Sequence, residues 1–383
     1  MIGEMQFTAV MLLSLMALSL WLLLPNRVSQ NRVTNLSRWL MIGALAVLVI
    51  QFALQHILGL RQTGVVQAAM LNLLLFIPGS ALLSLSVLNL QRQGRLTHME
   101  WFVGVPVWLI SIALLCWAII TDGLPFKEVS ERLMWAELTA SLLYCAMQLY
   151  YCRLHLKAIK SMQSALNDYS DRDHRQILDW MRFSVVVLAF MMIIVPLLIF
   201  ASGWPLLVFA LMLFAGIFYL WFCFVCYIVS DAAMYVREAE ESSLEDQKNL
   251  NSLKDNYGKG DGGRQLSSKA FRQVSNAVDK WVGAGAYLTA GITSPMAAAE
   301  MGIPRYQLTM WLKSSGHESF SQWISSLRIA EAKRVLSENP GWTNEAVADH
   351  CGFSRSYFQK IFKKETGLSP AEFVEREQQG PRS

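Results

Sequence analysis

"HCGFSRSYFQKIFKKETGLSP", residues 350–370, decides the reading of the C-terminal third of this chain, because the same unit occurs there twice. Shifting the sequence by fifty residues lays "GIPRYQLTMWLK" (302–313) over "GFSRSYFQKIFK" (352–363). Gly302 falls on Gly352, Arg305 on Arg355, Leu308 on Phe358, Leu312 on Phe362 and Lys313 on Lys363, and upstream Ala298 falls on Ala348. Each copy reads as two short helices around a tight turn. Ser294 with Pro295 supplies an N-cap and a preset first helical residue for one copy, and Thr343 opens the other. A glycine at the turn lets the backbone take positive φ, and the small Ala298 and Ala348 let the paired helices approach closely.

That pattern predicts helix-turn-helix geometry, in which the second helix of each pair enters the major groove of DNA. Apolar Ile303, Leu308 and Leu312 mark the buried face of the first reading helix, and Phe353, Phe358, Ile361 and Phe362 that of the second. The opposite faces then carry Tyr306, Thr309, Met310 and Lys313 in the first unit, and Ser356, Gln359, Lys360 and Lys363 in the second. Gln359 suits a base edge, and Arg355, Lys360, Lys363 and Lys364 suit phosphates. The first face is less polar and is expected to rely on methyl contacts, stacking or shape, with Arg305 beside it. Between the units, residues 319–339 predict one connecting helix. Ser319 and Gln322 form a capping box, and Phe320, Trp323, Ile324, Leu327, Ala330 and Leu336 form an apolar stripe. About twenty residues at ~1.5 Å each span ~30 Å, close to the ~34 Å repeat of B-DNA, so one helix can hold both readers on one face of the duplex. A last helix opens at Ser369, with Pro370 at its first position and Glu372 at its third.

With "FSQWISSLRIAEAKRVL", "VADHCGFSRSYFQKIFKKETGLSP" and the closing "AEF" on the page, residues from about 269 to 377 resemble the AraC/XylS-type DNA-binding domain. The resemblance implies a bacterial transcription regulator that binds double-stranded promoter DNA through both units and acts on RNA polymerase. Two departures stand out. The chain has one residue fewer than the family pattern between Gly-Phe and Tyr-Phe, and Val374 replaces the Arg that usually follows the aromatic of the last helix.

The rest of the chain is different chemistry. Of 383 residues, 54% are hydrophobic and 16% charged, too apolar for an ordinary soluble protein. The 154 residues after position 229 hold 19 of the 33 Lys and Arg and 19 of the 29 Asp and Glu. Before that point, seven windows reach the roughly 20 apolar residues a bilayer requires, at about 5–24, 39–58, 65–90, 101–121, 133–152, 183–201 and 204–229. Pro78, Pro106 and Pro196 fall inside them. Residues 1–229 therefore predict a seven-span membrane domain, 230–263 a cytoplasmic linker and 264–383 the DNA-binding domain, all α throughout. The first apolar run lacks the basic leader of a cleaved signal. Lys and Arg in the short loops divide 11 to 3 in favour of one side. That places the N-terminus outside and the tail in the cytoplasm of an inner-membrane, multi-pass protein.

Gln6, Gln55, His56, Gln67, Asn72 and Glu137 fall in the outer halves of their spans. Polar groups are costly there and often mark a site. An outward pocket for a small-molecule or envelope ligand is the sharp expectation, with Glu137 and His56 as a hydrogen-bonded pair; interfacial snorkelling and interhelical hydrogen bonds are the plain one. No catalytic constellation is read, and no cofactor is expected. The last span has no Lys for a retinal Schiff base, there is no H-E-x-x-H, and Cys223 and Cys226 form a C-x-x-C buried in an apolar run. "GKGD" (258–261) lies in the linker rather than in a span. The linker itself, with eight acids and four bases, reads as a charged helix continuing the last span and ending in a Gly-rich hinge. Met234, Leu244, Leu250 and Leu253 sustain no heptad, so a homodimeric coiled coil is a weaker reading than a solvated spacer. Three functions remain: a membrane sensor that drives a tethered regulator, a passive anchor, and a transporter whose tail regulates.

Overall fold

A computed structural model describes residues 2–25, 28, 30–60, 65–122, 130–172, 175–201, 203–230, 232–257 and 267–379. Among them there is no strand, only an isolated antiparallel bridge between Ser170 and Thr293. The chain forms two compact units. The first comprises Met1–Met162 and Gln176–Met234, the second Gln163–Arg175 and Tyr235–Ser383.

The first unit contains helices α1 (Ile2–Leu22), α2 (Arg32–Ile57), α3 (Val65–Gln91), the single turn α4 (His98–Phe102), α5 (Gly104–Asp122), most of α6 (Glu131–Tyr169), α7 (Arg175–Phe200) and α8 (Gly203–Val229). Six stretches, in α1, α2, α3, α4 with α5, α7 and α8, are long and apolar enough to cross a membrane. This differs from the seven windows read in the sequence. The fifth lies in α6, where Glu137, Ser141, Gln148 and several tyrosines dilute the apolar residues. Pro78 and Pro196 sit inside α3 and α7, whereas Pro106 falls in the first turn of α5, where a missing N–H leaves no hydrogen bond unmade.

Polar side chains in this unit turn inward and pair. Gln6 donates to Gln55 Oε1 at 3.3 Å, Gln51 donates to Asn72 Oδ1 at 2.7 Å, and Gln55 bonds to the same Asn72 oxygen. Further along the bundle Ser86 donates to the Ser37 carbonyl, Asn89 donates to Ser37 Oγ, and His155 Nδ1 meets Gln91 Oε1 at 2.8 Å. Other atoms of these side chains, Gln51 Oε1, Asn72 Nδ2, Asn89 Oδ1, Gln91 Nε2 and His155 Nε2, are buried without a hydrogen-bond partner.

The second unit is built on α9 (Ala232–Tyr257), α10 (Ser268–Gly283), α11 (Ser294–Glu300), α12 (Arg305–Ser314), α13 (Phe320–Glu338), α14 (Asn344–His350), α15 (Arg355–Thr366) and α16 (Pro370–Gln379), with the last turns of α6. It holds two apolar cores, and α13 belongs to both. Its first half gives Phe320, Trp323 and Ile324 to a core with Val274, Val278 and Trp281 of α10, Ala297 and Ala298 of α11, and Leu308 and Leu312 of α12. Its second half gives Ile329, Ala332, Val335 and Leu336 to a core with Val347, Ala348, Phe353, Phe358, Ile361 and Phe362. The indole N–H of buried Trp281 donates to Glu300 at 2.7 Å, and that of partly buried Trp311 to Ser275 at 2.9 Å.

Several helix starts follow the sequence and two differ. Thr343 accepts from Ala346 N, and Ser369 with Glu372 forms a complete capping box. The N-cap of α11 is Thr293, one residue before the expected Ser294, and it accepts from Met296 N. Ser319 accepts from Gln322 N, but the Gln322 side chain accepts from Glu318 N instead of closing the box on Ser319. The linker helix resumes at Ala232 after α8 ends at Val229, and it is not solvated all round, because Val236, Ala239 and Asp246 are buried. The Gly-rich end of the linker lies outside the described residues.

Both turn glycines have positive φ, 68° at Gly302 and 72° at Gly352. Their surroundings differ: a Cβ at Gly302 would meet nothing within 4 Å, whereas one at Gly352 would collide with the Leu288 carbonyl oxygen and approach Arg328 Cζ to 3.1 Å. Gly302→Ala should therefore cost only the left-handed backbone term of ~1–2 kcal/mol. Gly352→Ala should cost clearly more, a ranking that urea unfolding of the two variants measures directly.

Candidate nucleic-acid interface

Each helix-turn-helix unit presents its second helix, α12 or α15, from a core that fixes its rotation about its own axis. In both units the first buried residue of that helix, Leu308 or Phe358, stands six positions after the turn glycine. The chain's one-residue departure from the family pattern therefore makes its second unit the same length as its first. The connecting helix α13 has 19 residues, or ~28 Å at ~1.5 Å per residue.

The second reading face is open. Arg355, Ser356, Gln359, Lys360, Lys363 and Lys364 are all exposed, while Phe358, Ile361 and Phe362 beneath them are buried. Arg355 pairs with Glu345 at 3.5 Å with both side chains about two-thirds exposed, an arrangement worth little in water and easily exchanged for a phosphate. The exposed positions include the four, Ser356, Gln359, Lys360 and Lys363, that helical periodicity set opposite the buried face, with Arg355 and Lys364 beside them.

The first reading face is not open. Thr309 donates to Asp246 Oδ2 of α9 at 2.9 Å, and Arg305 pairs with the same oxygen at 3.2 Å. Those two charged side chains are only 12% and 10% exposed. Arg305 Nε also donates to Ser294 Oγ at 2.9 Å, so the serine expected as an N-cap instead holds this arginine. Tyr306 is half-buried and Met310 is buried, with only Lys313 exposed. Met310 does not lie on a solvent-facing surface as periodicity suggested, because this helix is covered on more than its core side. Burial raises the Asp246 pKa against the opposing pull of Arg305, and burial lowers that of Arg305. Asp168, at the end of α6, is raised by burial too, with Lys313 and Arg305 pulling it back.

The sequence reading assigned no role to Arg328, which lies between the two cores and is wholly buried. Its Nε donates to the Tyr287 carbonyl at 2.7 Å, Nη2 to the Thr289 carbonyl at 2.7 Å and Nη1 to the Gly352 carbonyl at 2.8 Å. Nη1 also forms an ion pair with Asp171, just beyond α6, and the guanidinium lies 5.3 Å from the Phe353 ring centroid. Its signal was present: Arg328 falls four residues after Ile324 and four before Ala332, inside the apolar stripe of α13, where a charge has to be paired.

In the first unit, Gln55 and Asn72 come together with Gln6 and Gln51. His56 stays outside that network, exposed, with Gly3 and the Phe7 ring of α1 as neighbours. Glu137 is buried in α6 with no hydrogen-bond partner for Oε1, and no hydrogen bond joins it to His56. The side chain of Gln67 lies outside the described residues.

Residues 297–376 match a family model described as a helix-turn-helix domain, of the AraC type. No curated protein and no solved structure matches the chain. The matched segment begins inside α11 and ends inside α16, so it takes in both turns, both reading helices and Arg328.

Removing the Arg328 side chain would strand the Asp171 carboxylate and three backbone carbonyls in a buried place. Arg328→Met should destabilise the chain by roughly 3–5 kcal/mol. Arg328→Lys should recover only part of that, since one ammonium cannot reproduce the planar fork. Chemical unfolding of the two variants beside the parent protein checks both magnitude and order.

Proposed function

We propose that this protein is a membrane-embedded, one-component transcriptional regulator that binds promoter DNA with its tail and senses a membrane or envelope signal with its helices. The open basic face of α15, in the same chain as six helices long and apolar enough to cross a membrane, is the observation that carries the reading. No enzymatic step is required of it. Phosphate contacts from Arg355, Lys360, Lys363 and Lys364 would position the tail on the duplex, and Gln359 would read the base. RNA polymerase is the partner that the AraC-type resemblance supplies; a lipid bilayer surrounds the apolar helices in this reading. Homodimerisation belongs to the proposal only as a way in which a signal could be transmitted.

Helix α6 supports the sensing half. Its buried positions recur at three- and four-residue steps from Leu133 to Tyr169, so one face is packed along the whole length. Glu137, Ser141, Gln148 and His155 lie on that face, while Trp135, Leu142 and Leu149 point outward and are more than half exposed. Its average polarity comes from the packed face, and its outer face is apolar. We therefore take α6 as a seventh span that keeps its polar groups inside, with the N-terminus outside and the DNA-binding tail in the cytoplasm, as the 11 to 3 distribution of Lys and Arg favours. A ligand bound among Gln55, Asn72 and Glu137 acts only if it favours one helix arrangement over another. The helix then ends at Tyr169, two residues before Asp171, the partner of Arg328.

Two outcomes test this reading. Gln359→Ala should shift sequence preference by ~1–3 kcal/mol, whereas Lys363→Ala should weaken binding to all duplexes and flatten the salt dependence; equal effects of both on every sequence would contradict that division. Seven spans place the two termini on opposite sides of the membrane, so impermeant labelling of cysteines introduced near each end should mark only one of them in intact cells.

A further inference from the structure

The geometry points to a second role for the first helix-turn-helix unit: its reading face is an interaction surface for the chain's own acidic helix α9, which occupies it as a stand-in for DNA phosphate. This rests on the DNA-binding reading above and adds the regulation of that same site. The observation is chemical. Asp246 offers one carboxylate oxygen to both Arg305 and Thr309. A cation and a hydroxyl on the exposed side of a reading helix are groups that contact phosphate oxygens when DNA is bound. Asp168 adds a second carboxylate whose field is felt by Arg305 and Lys313. Glu238 of α9 accepts from Tyr169 at 3.0 Å, tying α9 to the end of α6. The face is therefore covered by acids from two segments, α9 and the end of α6, and DNA cannot occupy it at the same time.

The cover is made to be lifted. Burial works against the charge on each partner of the Asp246 pair, and a buried ion pair of that kind gains little over the two groups separated in water. Moving Arg305 from Asp246 to a phosphate exchanges one anionic oxygen for another. Both covering segments are also direct continuations of membrane helices in the chain: α6 itself, and α9 beginning three residues after α8 ends. A shift in either helix changes how firmly the first unit is held. In the covered state DNA is met by the second unit alone; in the released state both units engage.

The test measures binding of the full-length protein, in lipid nanodiscs, to a fluorescein-labelled random-sequence 40-base-pair duplex across a range of salt concentrations. Asp246→Asn keeps an acceptor for Thr309 but removes the charge that holds Arg305. It should bind about fivefold tighter, with a log–log salt slope steeper by about one, the signature of one more phosphate contact. The gain should vanish in Asp246→Asn/Arg305→Ala. Glu241→Gln removes an equal charge from the exposed side of α9, where Glu241 pairs with Arg237 at 3.7 Å, and should leave binding near that of the parent. Unchanged affinity in Asp246→Asn, or an equal gain in Glu241→Gln, would overturn the proposal. Lys363→Ala separates this failure from that of the underlying reading. If the parent binds and Lys363→Ala weakens it, DNA binding stands whatever Asp246 does; if neither the parent nor any variant binds, both proposals fall.

Discussion

The second unit depends on the burial of one guanidinium. Helix α13 gives half its length to each of two cores, and nothing in an apolar stripe by itself says how the cores should be set against each other. Arg328 supplies that constraint. Its fork reaches the chain before the first helix-turn-helix through Tyr287 and Thr289, the turn of the second through Gly352, and the end of the α6 segment through Asp171. A buried arginine is costly unless all its donors are used. Once they are used, few other arrangements of the three segments satisfy it. The requirement for glycine at 352 follows from the same closeness, since the Leu288 carbonyl and Arg328 leave no room for a Cβ.

That constraint makes the tail more than a domain hung on a tether. Residues 163–175 belong to the same compact unit as the two helix-turn-helix motifs, and they follow directly from the packed stripe of α6. Glu137 thus lies in the second turn of α6, and Asp171 two residues beyond its last, Tyr169. In a helix held by packing along its length, a rotation or shift at one end cannot easily be absorbed in the middle, whereas in a flexible linker it would be lost within a few residues. In the proposed regulator, a helix with two settings is the coupling device.

The two helix-turn-helix units were legible in the sequence because repetition and periodicity are local signals. Gly302 over Gly352 and Leu308 over Phe358 place the turns, and the buried faces follow from spacing alone. The caps shifted by a residue where two hydroxyls competed, as at Thr293 and Ser294. What covers the first reading face was not legible, because Asp246 meets Arg305 and Thr309 from some sixty residues away and nothing in either stretch names the other. The polarity of α6 is a different case. A window average cannot distinguish a helix that is polar on one face from one that is polar throughout, and only packing shows that Glu137 and Gln148 face inward while Leu142 faces out.

The asymmetry between the units follows from what each face would cost to cover. At an offset of fifty, Met310 corresponds to Lys360 and Thr309 to Gln359. Burying Met310 releases apolar surface from water, while burying Lys360 in the same way would require a partner for its charge or several kcal/mol of desolvation. Thr309 needs one acceptor, which Asp246 provides; Gln359 has two donors and an acceptor to satisfy. The first unit retains one deeply engaged cation, Arg305, and that cation has its carboxylate. A face made of Tyr306, Thr309 and Met310 can therefore be held by a protein helix and also be released to DNA, because neither state leaves it with an unmet charge. The face of α15 carries too many cations for any cover but an anionic one of comparable density, and among biological surfaces the phosphate backbone of DNA is such a cover.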